Sequence, residues 1–260
     1  MEHQPNKLRG LVRLTAFLGI TLFFVLRNFV TSLFLKSCPH RCSRLAQEWA
    51  RILIRGLGVR LEVWGSPPEG TALLVSNHRS YIDIAAILSQ VPSTFLAKAE
   101  VADWPVVGRA ARVNNTVFVQ REDRDSRRQA RLGAQDHLTQ GLTFTAFPEG
   151  TTARAPEVLP FSPGLFEVAH KNQFPVCPVA IEYGDPEDAW VGDESFFGHF
   201  LRCLGKRTVH IRLAFGPVLG ERSAQELREF SERWIRSNLR APVLEWEAGS
   251  APALPKLSAA

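Results

Sequence analysis

The sequence predicts an α/β protein: a mixed central sheet flanked by helices, preceded by an N-terminal two-helix membrane-anchoring segment. Three observations carry this reading. After Gly58, short runs rich in Val, Ile, Leu, Thr and Phe alternate with longer stretches of helical periodicity. Before it lies an apolar run of 22 residues, Leu14–Leu35, interrupted by one charge. Charge is also uneven: residues 1–60 hold ten Lys/Arg against two Asp/Glu, a net +8, which leaves −3 for the other 200 residues of a chain that is +5 overall.

The apolar run, LTAFLGITLFFVLRNFVTSLFL, would be about 33 Å long as a helix, enough to cross a bilayer. Its charge, Arg27, falls past the middle, and Arg13 and Lys36 bound the run, so the uncharged stretch Leu14–Leu26 is short for a span. The next helical segment, Cys42–Leu57, sets Leu45, Trp49, Ile52, Leu53 and Leu57 against Arg44, Arg51 and Arg55. Together they read as a hairpin lying in one leaflet, with arginines at phosphate level and Trp49 at the head-group boundary. A single transmembrane helix and a buried core helix are the competing readings.

Strands are expected at Arg60–Trp64, Ala72–Ser76, Thr94–Ala97, Thr116–Gln120, Thr143–Phe147, Val176–Glu182 and Val209–Phe215. Helices are expected at Ile82–Gln90, Arg124–Gln140, Leu165–Lys171 and Ala224–Leu239. Residues 1–57 are thus read as the anchor, 58–245 as the α/β domain and 246–260, Pro-rich and aperiodic, as a flexible tail.

Composition narrows the function. The basic excess confined to the first 60 residues favours an anionic membrane surface over nucleic acid, which needs a spread basic face. Cys38, Cys42, Cys177 and Cys203 are too few and scattered for a disulfide framework, and suit reduced thiols facing a cytoplasm. Cys38 and Cys42 bracket His40, but no second Cys/His pair follows at zinc spacing, so no metal site is expected; nor is any cofactor expected.

Two strand ends carry chemistry. In LLVSNHRSYIDI (73–84) a strand stops at Asn77 and a helix starts just after, leaving His78 at the junction and Asp83 five residues on. With the turn from Ser80 helical, Asp83 can fold back to one imidazole nitrogen and leave the other as a base. No Gly-x-Ser-x-Gly motif supplies a protein nucleophile, so the substrate's own hydroxyl would take that part. The second end, FTAFPEGTT (144–152), presents Glu149, Gly150, Thr151 and Thr152 where ligands bind on such sheets. Gly150 permits close backbone approach, and turn amides with threonine hydroxyls suit a phosphate or hydroxyl-rich ligand.

Asn77-His78-Arg79-Ser80-Tyr81-Ile82-Asp83 and Phe147-Pro148-Glu149-Gly150-Thr151-Thr152 resemble the first and third motifs of the glycerolipid acyltransferases, the family of bacterial 1-acylglycerol-3-phosphate acyltransferases. Val117–Arg121 (VFVQR) is similar to the second motif and Val176–Ala180 (VCPVA) to the fourth. The resemblance covers roughly residues 58–220, and the hairpin resembles the family's anchor. It implies catalysis by His78 and Asp83, and substrate binding by Asn77, Ser80, Arg121, Glu149, Gly150, Thr151 and Thr152. It also implies an acyl-CoA or acyl carrier protein donor and transfer to the sn-2 hydroxyl of 1-acylglycerol-3-phosphate, at the cytoplasmic face of the cell membrane.

One departure bears on the acceptor. Many phosphatidic-acid-forming members have arginine where this chain has Thr152, with Arg154 two residues on, which leaves room for another lysolipid with an amino-acid or zwitterionic head group, such as lyso-ornithine lipid. Arg121, Arg124, Arg127, Arg128 and Arg131 form a candidate dock for donor phosphates or an acidic carrier, or else one solvated helix face. Trp104, Trp190, Trp234 and Trp246 are expected to pack, and His137, His170, His199 and His210 carry no assigned role. A non-catalytic lipid-binding module and a thioesterase, with His78 activating water, are the rival functions.

Overall fold

The structure, a computed structural model, describes residues 5–36 and 38–239. The expected tail 246–260 and Trp246 lie outside the described residues.

All seven expected strands form: β1 (Val59–Trp64), β2 (Leu73–Ser76), β3 (Ser93–Lys98), β4 (Val117–Val119), β5 (Thr143–Ala146), β6 (Val176–Tyr183) and β7 (Val209–Phe215). They make one mixed sheet in the order β1-β7-β6-β2-β5-β3-β4, parallel throughout except between β6 and β7. Register alternation sorts side chains to two cores. Leu73 and Val75 of β2 join Phe144 in the core under α5 (Arg124–Thr139), α6 (Gly164–Asn172) and α8 (Ala224–Asn238). Leu74 joins Val179 and Ile181 on the other face, under α2 (Pro39–Gly56), α3 (Ile82–Gln90) and α7 (Phe196–Cys203).

Two helices were not anticipated. The short helix α4 (Val107–Val113) starts after Val106, whose φ of 64° is rare for a branched residue, and α7 is an aromatic-rich eight-residue helix N-capped by Ser195 through Gly198 N.

The first helix is longer than expected: α1 spans Lys7–Phe34, 28 residues, capped by Asn6. It is long and apolar enough to cross a membrane, with a mean hydropathy of 1.8 over its best stretch. Its start is nevertheless lashed to the α/β body. Arg13 donates to the carbonyls of Leu204, Lys206 and Arg207, and Arg9 to that of Gly205. Phe17, Thr21 and Phe24 are buried, and Trp49 Nε1 of α2 donates to Thr21 Oγ1 at 3.1 Å. Phe17, Ala50, Leu53 and Ile54 belong to the same core as β6 and β7, so residue 57 does not bound a separately packed unit. The opposite side of α1 exposes Leu8, Leu11, Leu22, Phe29, Val30 and Leu33, an apolar stripe with no protein cover. From Gly10 to Phe24 one face of α1 is on protein while the other is bare, the geometry of a helix lying along a surface.

Candidate active site

Parallel pairing of β2 with β5, register Val75↔Ala146, sets the two motif-bearing strand ends side by side. The loops beyond are stitched together. His78 N donates to Glu149 Oε2 at 2.9 Å, and Ala153 N donates to the His78 carbonyl at 3.0 Å. Trp190 clamps both, its N–H donating to Arg79 O and its carbonyl accepting from Thr152 Oγ1.

His78 Nδ1 lies 2.8 Å from Asp83 Oδ2 in the first turn of α3. That carboxylate is fully buried and also accepts from Arg79 N (2.6 Å), Ser80 N (2.9 Å) and the Tyr183 hydroxyl (2.8 Å). A carboxylate ringed by donors fixes the imidazole tautomer: Nδ1 carries the proton and Nε2 keeps the lone pair. The imidazole stacks on Phe147, centroids 3.9 Å apart and planes 14° from parallel, which holds its plane. Nε2 has no hydrogen-bond partner among the described residues, and His78 lines a cavity of about 980 Å³. Far from being polar, that cavity is walled mainly by Phe17, Phe24, Trp49, Ile82, Leu88 and Phe95, matching an acyl chain rather than a sugar or nucleotide. The arrangement can remove a proton from a hydroxyl presented in an apolar, lipid-sized space.

The cavity collects Arg121, Gly150, Thr151 and Thr152 as well as His78. Gly150 has φ +77° and open space where a Cβ would stand, so a side chain there would be strained by the backbone. Burial lowers the Arg121 guanidinium from its usual value against the pull of Glu100 and Glu122. Arg127 and Arg131 also line the cavity, whereas Arg124 and Arg128, which do not, are exposed on α5. Arg154 points elsewhere, paired with Glu187 at 2.7 Å.

Three residues expected at the substrate are placed otherwise. Asn77 is fully buried and spends its amide on both backbone groups of Ile181, and Ser80 is fully buried with its backbone N–H on Asp83. The Glu149 carboxylate is consumed by His78 N and Leu159 N (3.0 Å) and does not line the cavity. All three brace the loop that carries His78. Trp104 and Trp190, expected simply to pack, line the cavity within an aromatic group with Tyr81 and Phe196. Among the histidines, His199 bridges Tyr81 Oη and Asp188 O, a structural use.

Sequence reasoning overlooked two residues. Arg79 is 1% exposed, with Nη1 donating to Ala153 O and Glu157 O; burial lowers its pKa against the pull of Glu149 and Asp83. Its position inside the first motif was the available signal. Tyr183, at the end of β6, had none, since its link to Asp83 crosses 100 residues. It is a positioning residue, and Tyr183→Phe is expected to lower kcat about tenfold with KM unchanged, since Asp83 Oδ1 loses its donor while the cavity keeps its lining. A change confined to KM would count against that role.

Burial pushes the Glu149 carboxyl up from 4.5 to about 7, against the opposing hydrogen bond from His78 N and the charge of Arg79. A raised folded-state value means the stabilising, protonated form is fully present below pH 4.5 and is lost as pH rises through about 7, costing the fold on the order of 3 kcal/mol. Glu149→Gln cannot titrate and presents one acceptor to two N–H donors. The variant is therefore expected to melt below the parent at acid pH, with the gap closing as pH rises through that window. Thermal melts across it test this, a constant gap being the contrary result.

Comparison with known proteins agrees with this geometry. Residues 60–182 match the family described as Acyltransferase. The chain is 32% identical to the lyso-ornithine lipid O-acyltransferase of Brucella abortus (strain 2308), over 82% of this chain and 88% of that one. It is 33% identical to the 1-acyl-sn-glycerol-3-phosphate acyltransferase of Neisseria meningitidis serogroup B, over 80% and 84%. The crystal structure of the 1-acyl-sn-glycerophosphate (LPA) acyltransferase PlsC from Thermotoga maritima superposes with a TM-score of 0.60 at 25% identity, covering 86% of this chain and 95% of that chain. A histidine–aspartate pair facing an apolar cavity, on this sheet and with these relatives, places the chain in the glycerolipid acyltransferase family.

Proposed function

We propose that the protein transfers a fatty acyl group from a thioester of coenzyme A or acyl carrier protein to the free hydroxyl of a lysolipid, at the cytoplasmic face of the cell membrane. The observation that carries this is the His78–Asp83 pair with Nε2 open to an apolar cavity. Nε2 takes the hydroxyl proton as the oxygen attacks the thioester carbonyl carbon, and Asp83 stabilises the imidazolium. The tetrahedral intermediate collapses with cleavage of the C–S bond, and the thiolate leaves, receiving the proton from the imidazolium.

For the acceptor we favour a lysolipid with an amino-acid head group, of the lyso-ornithine type. Thr152, whose hydroxyl donates to the Trp190 carbonyl, stands where many phosphatidic-acid-forming members have arginine, and Arg154 is held by Glu187. Glu100, ion-paired with Lys98 at 2.9 Å, lines the cavity beside Arg121, so groups of both signs border the space a zwitterionic head group would enter. Three relatives named lyso-ornithine lipid O-acyltransferase, at 31% to 36% identity, support this reading. Transfer to the sn-2 hydroxyl of 1-acylglycerol-3-phosphate is the second reading, favoured by the convergence of Arg121, Arg127 and Arg131 on the cavity and by relatives so named.

The test measures thiol release with each lysolipid in turn and none, identifying the product by mass spectrometry. A higher kcat/KM for lyso-ornithine lipid supports the first reading, and the reverse order the second. Release without any acceptor points to a thioesterase; binding without release points to a lipid-binding module.

A further inference from the structure

A second, smaller cavity of about 330 Å³ lies away from His78, between α1 and the start of α2. It is lined by Arg27, Cys38, His40, Arg41, Arg44 and Leu45, with Glu48 at its edge. Glu48, the single acid in the lining, is already engaged by Arg27 at 2.7 Å. Arg41 has one bond through Nη2 to Lys36 O at 2.9 Å, while its buried Nε has no partner among the described residues. Arg44 is exposed and has no acid within ion-pair distance among the described residues. Three guanidiniums against one spent carboxylate make a small space of net positive charge that calls for an anion.

Its location identifies which anion. At about 100° per residue, Arg27 stands at the edge of the bare apolar stripe of α1, flanked along the helix by exposed Phe23, Val30 and Phe34. On α2, exposed Arg44 lines the same cavity as Arg27, whereas Arg51 turns away to donate to the carbonyl of Ser89 at 2.9 Å. An anion seated here would have apolar surface next to it and water on the other side, which describes the phosphate of a glycerophospholipid whose tails lie along α1.

We propose that this cavity binds the phosphate of an anionic membrane glycerophospholipid, as a lipid site separate from the catalytic cavity and independent of which acceptor is acylated. General attraction to a charged surface would count each arginine of α2 alike, at about fivefold in affinity per residue; a built site would not. Arg44 lines the cavity and Arg55 does not, although both are exposed on the same helix.

The experiment compares partitioning of the full chain, Arg44→Gln, Arg55→Gln and the double variant Arg41→Gln/Arg44→Gln onto phosphatidylcholine vesicles with and without phosphatidylglycerol. Thermal melts check that each variant is folded. Relative to the parent, Arg44→Gln is expected to lose at least tenfold and the double variant more, with Arg55→Gln losing no more than the roughly fivefold of surface attraction. Equal losses for Arg44→Gln and Arg55→Gln, or parent binding that ignores phosphatidylglycerol, overturn the site. Inorganic phosphate at constant ionic strength is expected to leave binding unchanged; displacement by it makes the ligand free phosphate and overturns the lipid assignment.

Discussion

Replacing His78 by alanine is expected to lower kcat for acyl transfer by about 10³-fold, the mid-range of what a positioned general base supplies. The loss falls on kcat because the imidazole is only one edge of a large cavity whose apolar lining holds the lipid with or without it. Stability should change little. His78 is part-exposed, and what it contributes to the fold beyond its backbone is the stack on Phe147 and the bond to Asp83. Initial rates of thiol release, beside a thermal melt, decide the matter. A loss below tenfold in a folded protein removes His78 from the chemistry and leaves substrate positioning to account for the rate.

Asp83→Asn is expected to cost about 10²-fold in kcat, for a different reason. The carboxylate receives four donors: His78 Nδ1, Arg79 N and Ser80 N at Oδ2, and Tyr183 Oη at Oδ1. An asparagine can keep this geometry, its oxygen accepting the three at Oδ2 and its amide donating to the tyrosine oxygen. The tautomer and the fold survive, and what disappears is the negative charge beside the imidazolium that forms during attack. Asp83→Ala, by contrast, strands two backbone N–H groups and a hydroxyl in a dry interior and should lower stability by several kcal/mol as well. Activity lost equally in both variants, with only the alanine form destabilised, separates electrostatics from architecture.

The legible part of this protein was what repeats locally. Strand runs such as Val209–Phe215 announce themselves by composition, and the five-residue step from His78 to Asp83 is short enough that a strand end and a helix start fix their meeting. What stayed hidden depends on direction. A polar residue at a strand end can face ligand or its own backbone, and nothing in the letters says that Asn77 turns inward to Ile181 while Gly150 opens outward. The placement of β7 between β1 and β6 and the contact of Tyr183 with Asp83 both arise from long-range pairing. Arg79 was in plain view but reads as a surface cation until the structure buries it.

His78 and the carboxylate bonded to its imidazole come from one stretch of six residues, 78–83, at a loop-to-helix junction, whereas the other polar groups lining the cavity at 121 and 150–152 arrive from separate segments. Point changes in those outer segments can therefore reshape the cavity lining without disturbing the His78–Asp83 pair. Enzymes named for two different acceptors stand at nearly the same distance from this chain, 32% and 33% identical to it.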